Sequence, residues 1–282
     1  MKLGAHMPIA GGVWKALVDG RNLGCECVQL FLKNNVQWRA KPYPARTIER
    51  FARERASAGI PHVFAHASYL INLAGPDSSA RTRSIAALVT ELGLAAALEL
   101  PFIVLHPGSH LGAGEAVGIR QIAAGLDEVF RLSPHKHVRV ALETTAGQGT
   151  SIGSKLEHLA AIFDAAAFSA RLAVCLDTAH LFAAGYDIRT PAGWDRIIDQ
   201  LDAMIGLDRV VAVHLNDSKA GLGSRIDRHE HIGKGAIGER AFEHIVNDPR
   251  FKDHPGCIET PKSKDLREDR RNLRVLRSLI RC

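Results

Sequence analysis

Eight short apolar runs punctuate the chain, and they constrain its fold more than any other feature. They read KLGAH (2–6), CVQLF (27–31), HVFAH (62–66), FIVLH (102–106), VRVALE (138–143), LAVCLD (172–177), VVAVHLN (210–216) and GCIET (256–260). None exceeds seven residues, and their near-continuous apolar character suits strands buried on both faces. Between them lie stretches with helical spacing. Ile85, Leu88, Val89 and Leu92 follow i, i+3, i+4, i+7, and so do Leu156, Leu159, Ala160 and Phe163. Ser154 and Glu157 have the spacing of a capping box opening the second of these. No Pro/Ser-rich linker interrupts the series, so residues 1–282 are expected to form one α/β domain, a (β/α)8 TIM barrel. A doubly wound open sheet would not need eight such even units.

The last residue or two of each run carry the chemistry. They are His6, Phe31, His66, His106, Glu143, Asp177, His214 and Glu259. The six on consecutive strands three to eight are all metal-capable, and in a barrel all these ends converge on one face. His180 follows Asp177 by three residues, which lets both point into the mouth as strand turns to helix. In the loop IDRHEH, Asp227 and His229 are two apart, so an extended backbone puts them on one side and Arg228 on the other. The candidate ligands are therefore His66, His106, Glu143, Asp177, His180, His214, Asp227, His229 and Glu259. Nine exceed the needs of one or two tetrahedral ions. An imidazole–carboxylate set without thiolate fits Zn, Mn or Fe(II). A cluster of two or three such ions suits phosphodiester hydrolysis, where metals polarise the phosphate and stabilise the leaving alkoxide. His62, His110, His135, His137, His158, His244 and His254 are read as ordinary structural or surface histidines, and His231 as a residue flanking the site.

Charge agrees with a polyanionic partner: 36 basic against 30 acidic residues give +6. Five cysteines with no C-x-x-C pair argue against a disulfide scaffold and suit a reducing cytoplasm. The first residues show no signal-peptide core, and no 18-residue apolar stretch occurs, so a cytoplasmic protein with no membrane partner is expected.

The segments HASYLINLAGP, LHPGSH, LETTAGQG, CLDTAHLFAAGYDIRT, HLNDSK, GSRIDRHEHIG and IETP closely resemble the endonuclease IV family of apurinic/apyrimidinic (AP) endonucleases, over essentially the whole chain. The resemblance implies a TIM barrel with about three zinc ions that cuts double-stranded DNA 5′ of abasic sites. Such cleavage leaves a 3′-hydroxyl and a 5′-deoxyribose phosphate, and the family also clears blocked 3′ ends. It implies one ion at His66, His106 and Glu143, and a second at Glu143, Asp177, His214 and Glu259. A third would sit at His180, Asp227 and His229. A hydroxide between the first two ions would be the nucleophile, with Glu143 and Glu259 as catalytic carboxylates, and the enzyme would work as a monomer.

The same resemblance implies DNA contacts. Tyr69 and Leu70 match residues that wedge into the duplex beside the lesion, where apolar groups replace lost stacking. Packing residues are the plainer alternative for this pair. KNNVQWRA (33–40) matches a second recognition loop that includes Gln37, and Lys33, Arg225 and Arg228 are expected on phosphates. The arginines of the last helix, 267, 270, 271, 274 and 277, are expected to form a solvated face. Three positions depart from the family pattern. Val36 stands where an inserting arginine is usual, Thr144 replaces an asparagine, and Ala179 replaces a cysteine. The last two predict altered hydrogen bonding around the ligands without loss of metal. Two other readings compete: a metal-dependent sugar isomerase or epimerase, which has no use for the trio His180, Asp227 and His229, and a lesion-binding protein that does not cut.

Overall fold

The structure is a computed structural model describing residues 1–281; the fifth cysteine, Cys282, lies outside the described residues. Each apolar run becomes a parallel strand of a closed barrel: β1 (Lys2–Met7), β2 (Cys27–Phe31), β3 (His62–His66), β4 (Phe102–Leu105), β5 (Arg139–Glu143), β6 (Leu172–Asp177), β7 (Val210–His214) and β8 (Pro255–Ile258). The barrel closes because β1 pairs with β2 on one side and β8 on the other. Helices wrap the outside: α1 (Lys15–Asn22), α2 (Ala45–Ala58), α3 (Ser78–Ala97), α4 (Glu115–Leu132), α5 (Leu156–Ala165), α6 (Thr178–Ala184), α7 (Pro191–Met204), α8 (Glu239–Val246) and α9 (Arg267–Leu279). The periodic stretches at 85–92 and 156–163 fall inside α3 and α5.

Side chains alternate across each strand, and in a barrel one parity faces inward. Outward residues such as Val28, Leu30, Val63, Ile103, Leu142 and Leu176 are buried in the main apolar core. Inward ones form a separate apolar cluster that includes Cys27, Phe64, Val104, Ala141, Cys175, Ala212 and Cys257. This floor seals the barrel. Two residues further along each strand or its end comes the next inward station: Gln29, His66, His106, Glu143, Asp177, His214 and Glu259, with His6 two beyond Gly4. Gly4 pairs with Cys27 on one side and Cys257 on the other, and a Cβ there would lie 1.7 Å from the Cys27 carbonyl oxygen. Only glycine fits between the two cysteine strands.

The capping box expected at α5 does not form. Lys155 is the N-cap and makes no side-chain cap bond. Instead the Leu156 N–H donates to Tyr186 Oη at 3.1 Å. A hydroxyl from a distant segment satisfies the helix start, which local spacing could not reveal. Two short antiparallel ribbons, Gly108–Ser109 with Ser151–Ile152 and Asp217–Ser218 with His229–Glu230, brace the loops above the mouth. Cys25, Cys27, Cys175 and Cys257 are all free and buried. No described helix is long and apolar enough to cross a membrane. Arginines 267, 270, 271, 274 and 277 are exposed along α9.

Candidate metal centre

The inward stations and two loops bring nine side chains together at the C-terminal mouth. Three groups have donor atoms within 4.8 Å of one another: His66, His106 and Glu143; Glu143, Asp177, His214 and Glu259; and Asp177, His180 and His229. Glu143 spans the first two. Its Oε2 lies 3.1 Å from His66 Nε2 and 3.0 Å from His106 Nε2, while its Oε1 lies 2.9 Å from His214 Nδ1. Asp227 joins the third group from the loop, with Oδ1 3.2 Å from His180 Nε2 and 3.6 Å from His229 Nε2. Asp177 stands between the second and third groups, since its Oδ2 is also 3.7 Å from His229 Nε2. It caps α6 as well, accepting the His180 N–H at 2.8 Å, so one carboxylate starts the helix and aims the imidazole.

Electrostatics explain why such a set needs cations. Burial alone would push the Glu143 carboxyl up, but His214 and His106 hold it well below the usual range. Burial opposes charge on His180, yet Asp177, Asp227 and Glu143 raise its imidazole well above the ordinary value. Burial likewise works against Asp227, which His180 and His229 bring down to about 2. The carboxylates favour the charged form of His66, His180 and His214, and divalent cations would balance the same negative charge more strongly. Two further atoms fit this. His180 Nε2 and His229 Nε2 are buried without a hydrogen-bond partner, and both converge on Asp227. Buried imidazole nitrogens with no hydrogen-bond partner, gathered around a carboxylate, fit the donor set of a divalent cation.

The family model described as Xylose isomerase-like TIM barrel matches residues 18–279. The "Probable endonuclease 4" of Chloroflexus aurantiacus is 48% identical over 279 residues, covering 99% of this chain and 98% of the relative. That of Geobacter sulfurreducens is 47% identical, covering 99% and 94%. The chain belongs to the endonuclease IV family. The solved endonuclease IV of Thermus thermophilus superposes with a TM-score of 0.87 at 37% identity, covering 99% of this chain and 98% of that one. A D-psicose 3-epimerase from Clostridium cellulolyticum superposes at 0.69 with 14% identity, a likeness of fold alone.

The residues expected on DNA lie on the loops around this centre, with one exception. Tyr69 is 57% exposed beside His66 and His106, and Val36 is 70% exposed. Leu70 is half-buried, and Gln37, Arg225 and Arg228 are exposed. Arg225 takes a left-handed backbone (φ 55°). Lys33 is different. Its ammonium is buried against the Glu91 carboxylate at 3.1 Å, so it does not stand free at the surface where a phosphate contact was expected. The physical reason is Glu91 itself, a buried acid on α3 that needs a cation. Glu91 also accepts the Ser68 N–H at 3.2 Å, and Ser68 Oγ donates to the Asn35 carbonyl at 2.5 Å. Lys33 thus ties the loop of Val36 to the loop of Tyr69.

Several positioning residues escaped the reading of strand ends. Asp217 is fully buried and receives the N–H groups of Gly233, Gly235 and Ile237 at 3.0 Å each, folding the segment that follows His229. Asn216 donates to Asp177 Oδ2 at 2.7 Å and accepts the Glu259 N–H at 2.7 Å. Their only local signal was polarity immediately after an apolar strand. Thr144 accepts the Asp177 N–H on its hydroxyl at 2.9 Å, and its carbonyl accepts from His180 Nδ1 at 2.8 Å. The threonine therefore takes part in orienting ligands. The histidines set aside keep ordinary partners where these are seen: His158 pairs with Glu115, His244 with the Ile188 carbonyl and His254 with the Val210 carbonyl.

Proposed function

We propose that this chain is a metal-dependent DNA-repair hydrolase that cleaves the phosphodiester 5′ of an abasic site in double-stranded DNA and clears blocked 3′ ends. The observation that carries the reading is the meeting of eight imidazoles and carboxylates in three adjoining groups, with Asp227 beside the third, in a member of the endonuclease IV family. When bound, about three zinc ions (or Mn2+ or Fe2+ at some sites) would supply Lewis acidity at the phosphate and a nucleophile at neutral pH. The chain's own part is positional. His66 and His106 would hold one ion and His214, Asp177 and Glu259 a second, with Glu143 common to both. His180, Asp227 and His229 would hold the third. The exposed Tyr69, with half-buried Leu70 behind it, suits a wedge beside an extruded sugar. Val36 extends that apolar edge, and Gln37 lies next to it. Arg225 and Arg228 would meet phosphates without reading sequence. A monomer working in the cytoplasm suffices for this role.

A sugar epimerase shares the fold, but the trio of His180, Asp227 and His229 has no task in moving one proton on a neutral sugar. A lesion-binding protein would have no need to keep nine ligands. The deciding experiment pairs elemental analysis with nicking of an abasic-site duplex before and after chelation. Near three zinc ions per chain and chelator-sensitive nicking are expected. Metal-loaded protein that leaves the duplex intact would overturn the reading.

A further inference from the structure

Six of the eight strands fill their inward station with a ligand of the candidate centre. The other two fill it with His6 and Gln29, and nothing so far assigns Gln29 a task. We infer that Gln29 is a positioning residue of the centre, which fixes the ring tautomer of His214 and divides the two oxygens of Glu259. The inference rests on the metal reading above.

Gln29 is fully buried, and polar atoms surround its amide. Its Oε1 lies 2.8 Å from His214 Nε2. Its Nε2 donates to Glu259 Oε1 at 2.5 Å and lies 2.8 Å from His6 Nδ1. The order of control follows from donor chemistry. An ionised carboxylate only accepts, so Glu259 must face the amide NH2. That orientation turns the amide carbonyl toward His214, and a carbonyl only accepts. His214 must therefore carry its proton on Nε2.

The consequence falls on the opposite nitrogen. His214 Nδ1 lies 2.9 Å from Glu143 Oε1, 3.2 Å from Glu259 Oε2 and 3.7 Å from Asp177 Oδ2, at the middle of the four-residue group. A proton held on Nε2 leaves the Nδ1 lone pair directed at that point. Glu259 is sorted in the same way: the Gln29 amide occupies Oε1, and Oε2 turns toward His214. One amide thus prepares two ligands of the same ion. A leucine or methionine of similar size would fill the station yet leave the ring free to take either tautomer.

The test compares Gln29→Met and Gln29→Glu with the unaltered chain. Methionine keeps the volume and removes both hydrogen bonds. Glutamate keeps an acceptor for His214 but sets a carboxylate against Glu259. Zinc content, zinc release to a chromogenic chelator, kcat and KM on an abasic duplex, and the melting temperature of the chelated protein are measured. Both variants are expected to release one of the ions about 10–100-fold faster, the range found when a partner of a metal ligand is removed. The other ions, KM and the chelated melting temperature should stay unchanged, while kcat falls. Wild-type release kinetics in Gln29→Met would overturn the inference. So would equal loss of all ions together with a lower chelated melting temperature, which would mean general loosening. If Gln29→Met does not fold, Gln29→Glu decides by the same criteria. Failure of the parent reading is distinct: the unaltered chain would then bind no zinc or leave the duplex uncut.

Discussion

The inner face of the barrel holds two adjacent layers made by the same strands, and they obey opposite rules. The floor is apolar and dry, built from side chains such as Phe64, Val104, Ala141 and Cys257. Two residues further on, the same strands or their ends present His66, His106, Glu143 and Glu259. The floor gains stability by excluding water. The mouth gives stability up by gathering four carboxylates, three of them buried to within about a tenth of their surface. Such a layer persists because each acid has imidazole neighbours and because the sealed floor keeps the site rigid beneath. Function sits where the folding rules are broken, one strand repeat above where they are kept.

Breaking the mouth should cost activity with little cost in fold. Glu143→Gln is expected to lower nicking about 10³-fold, equivalent to about 4 kcal/mol of transition-state stabilisation, while the chelated protein melts as before. Near-normal nicking by this variant would show that Glu143 does not link two ion sites.

Breaking the floor should do the reverse. Phe64→Ala is expected to cost about 3–5 kcal/mol in denaturant unfolding, with zinc content and the room-temperature rate close to wild type. A variant that kept its stability but lost zinc would erase the distinction between the layers.

The brace between the loops of Val36 and Tyr69 sharpens the comparison from outside the barrel. Glu91→Gln leaves the Lys33 ammonium buried without its counter-charge and should cost about 3 kcal/mol. It should also raise KM for the abasic duplex, because the loops of Val36 and Tyr69 lose their common anchor. An unchanged KM would mean that each loop holds its shape alone.

The smallest effect is expected at the rim. Arg225→Ala should weaken DNA binding about tenfold or less and reduce the salt dependence by about one counterion. Titration of binding against salt checks this, and an unaltered slope would remove Arg225 from the phosphate-contacting set.

Much of the fold and part of the site could be read from sequence, and the misses share a cause. All eight apolar runs became barrel strands, with no end shifted by more than two residues. Six of the nine candidate ligands stood at or near run ends. Gln29 was passed over because Phe31, of the same inward parity, ends its run; the barrel's register, which pairs Gln29 with His6, decides which of the two reaches the centre. Ser154 looked like a helix cap until Tyr186 supplied the bond. Lys33 looked like a free surface cation until Glu91, 58 positions along the chain, claimed it.

The amino-acid order by itself determined which segments become strands and helices and which polar residues stand at strand ends, because those depend on periods of two and 3.6 residues within a few neighbours. Only the closed barrel decided which donor atoms lie within reach of one another, which nitrogen of His214 faces Gln29, and which charges are already paired. The contact between Gln29 and His214 spans 185 positions in the chain. Hydrogen bonds and ion pairs act over about 3–4 Å, and no local pattern says which distant side chain will arrive at that range.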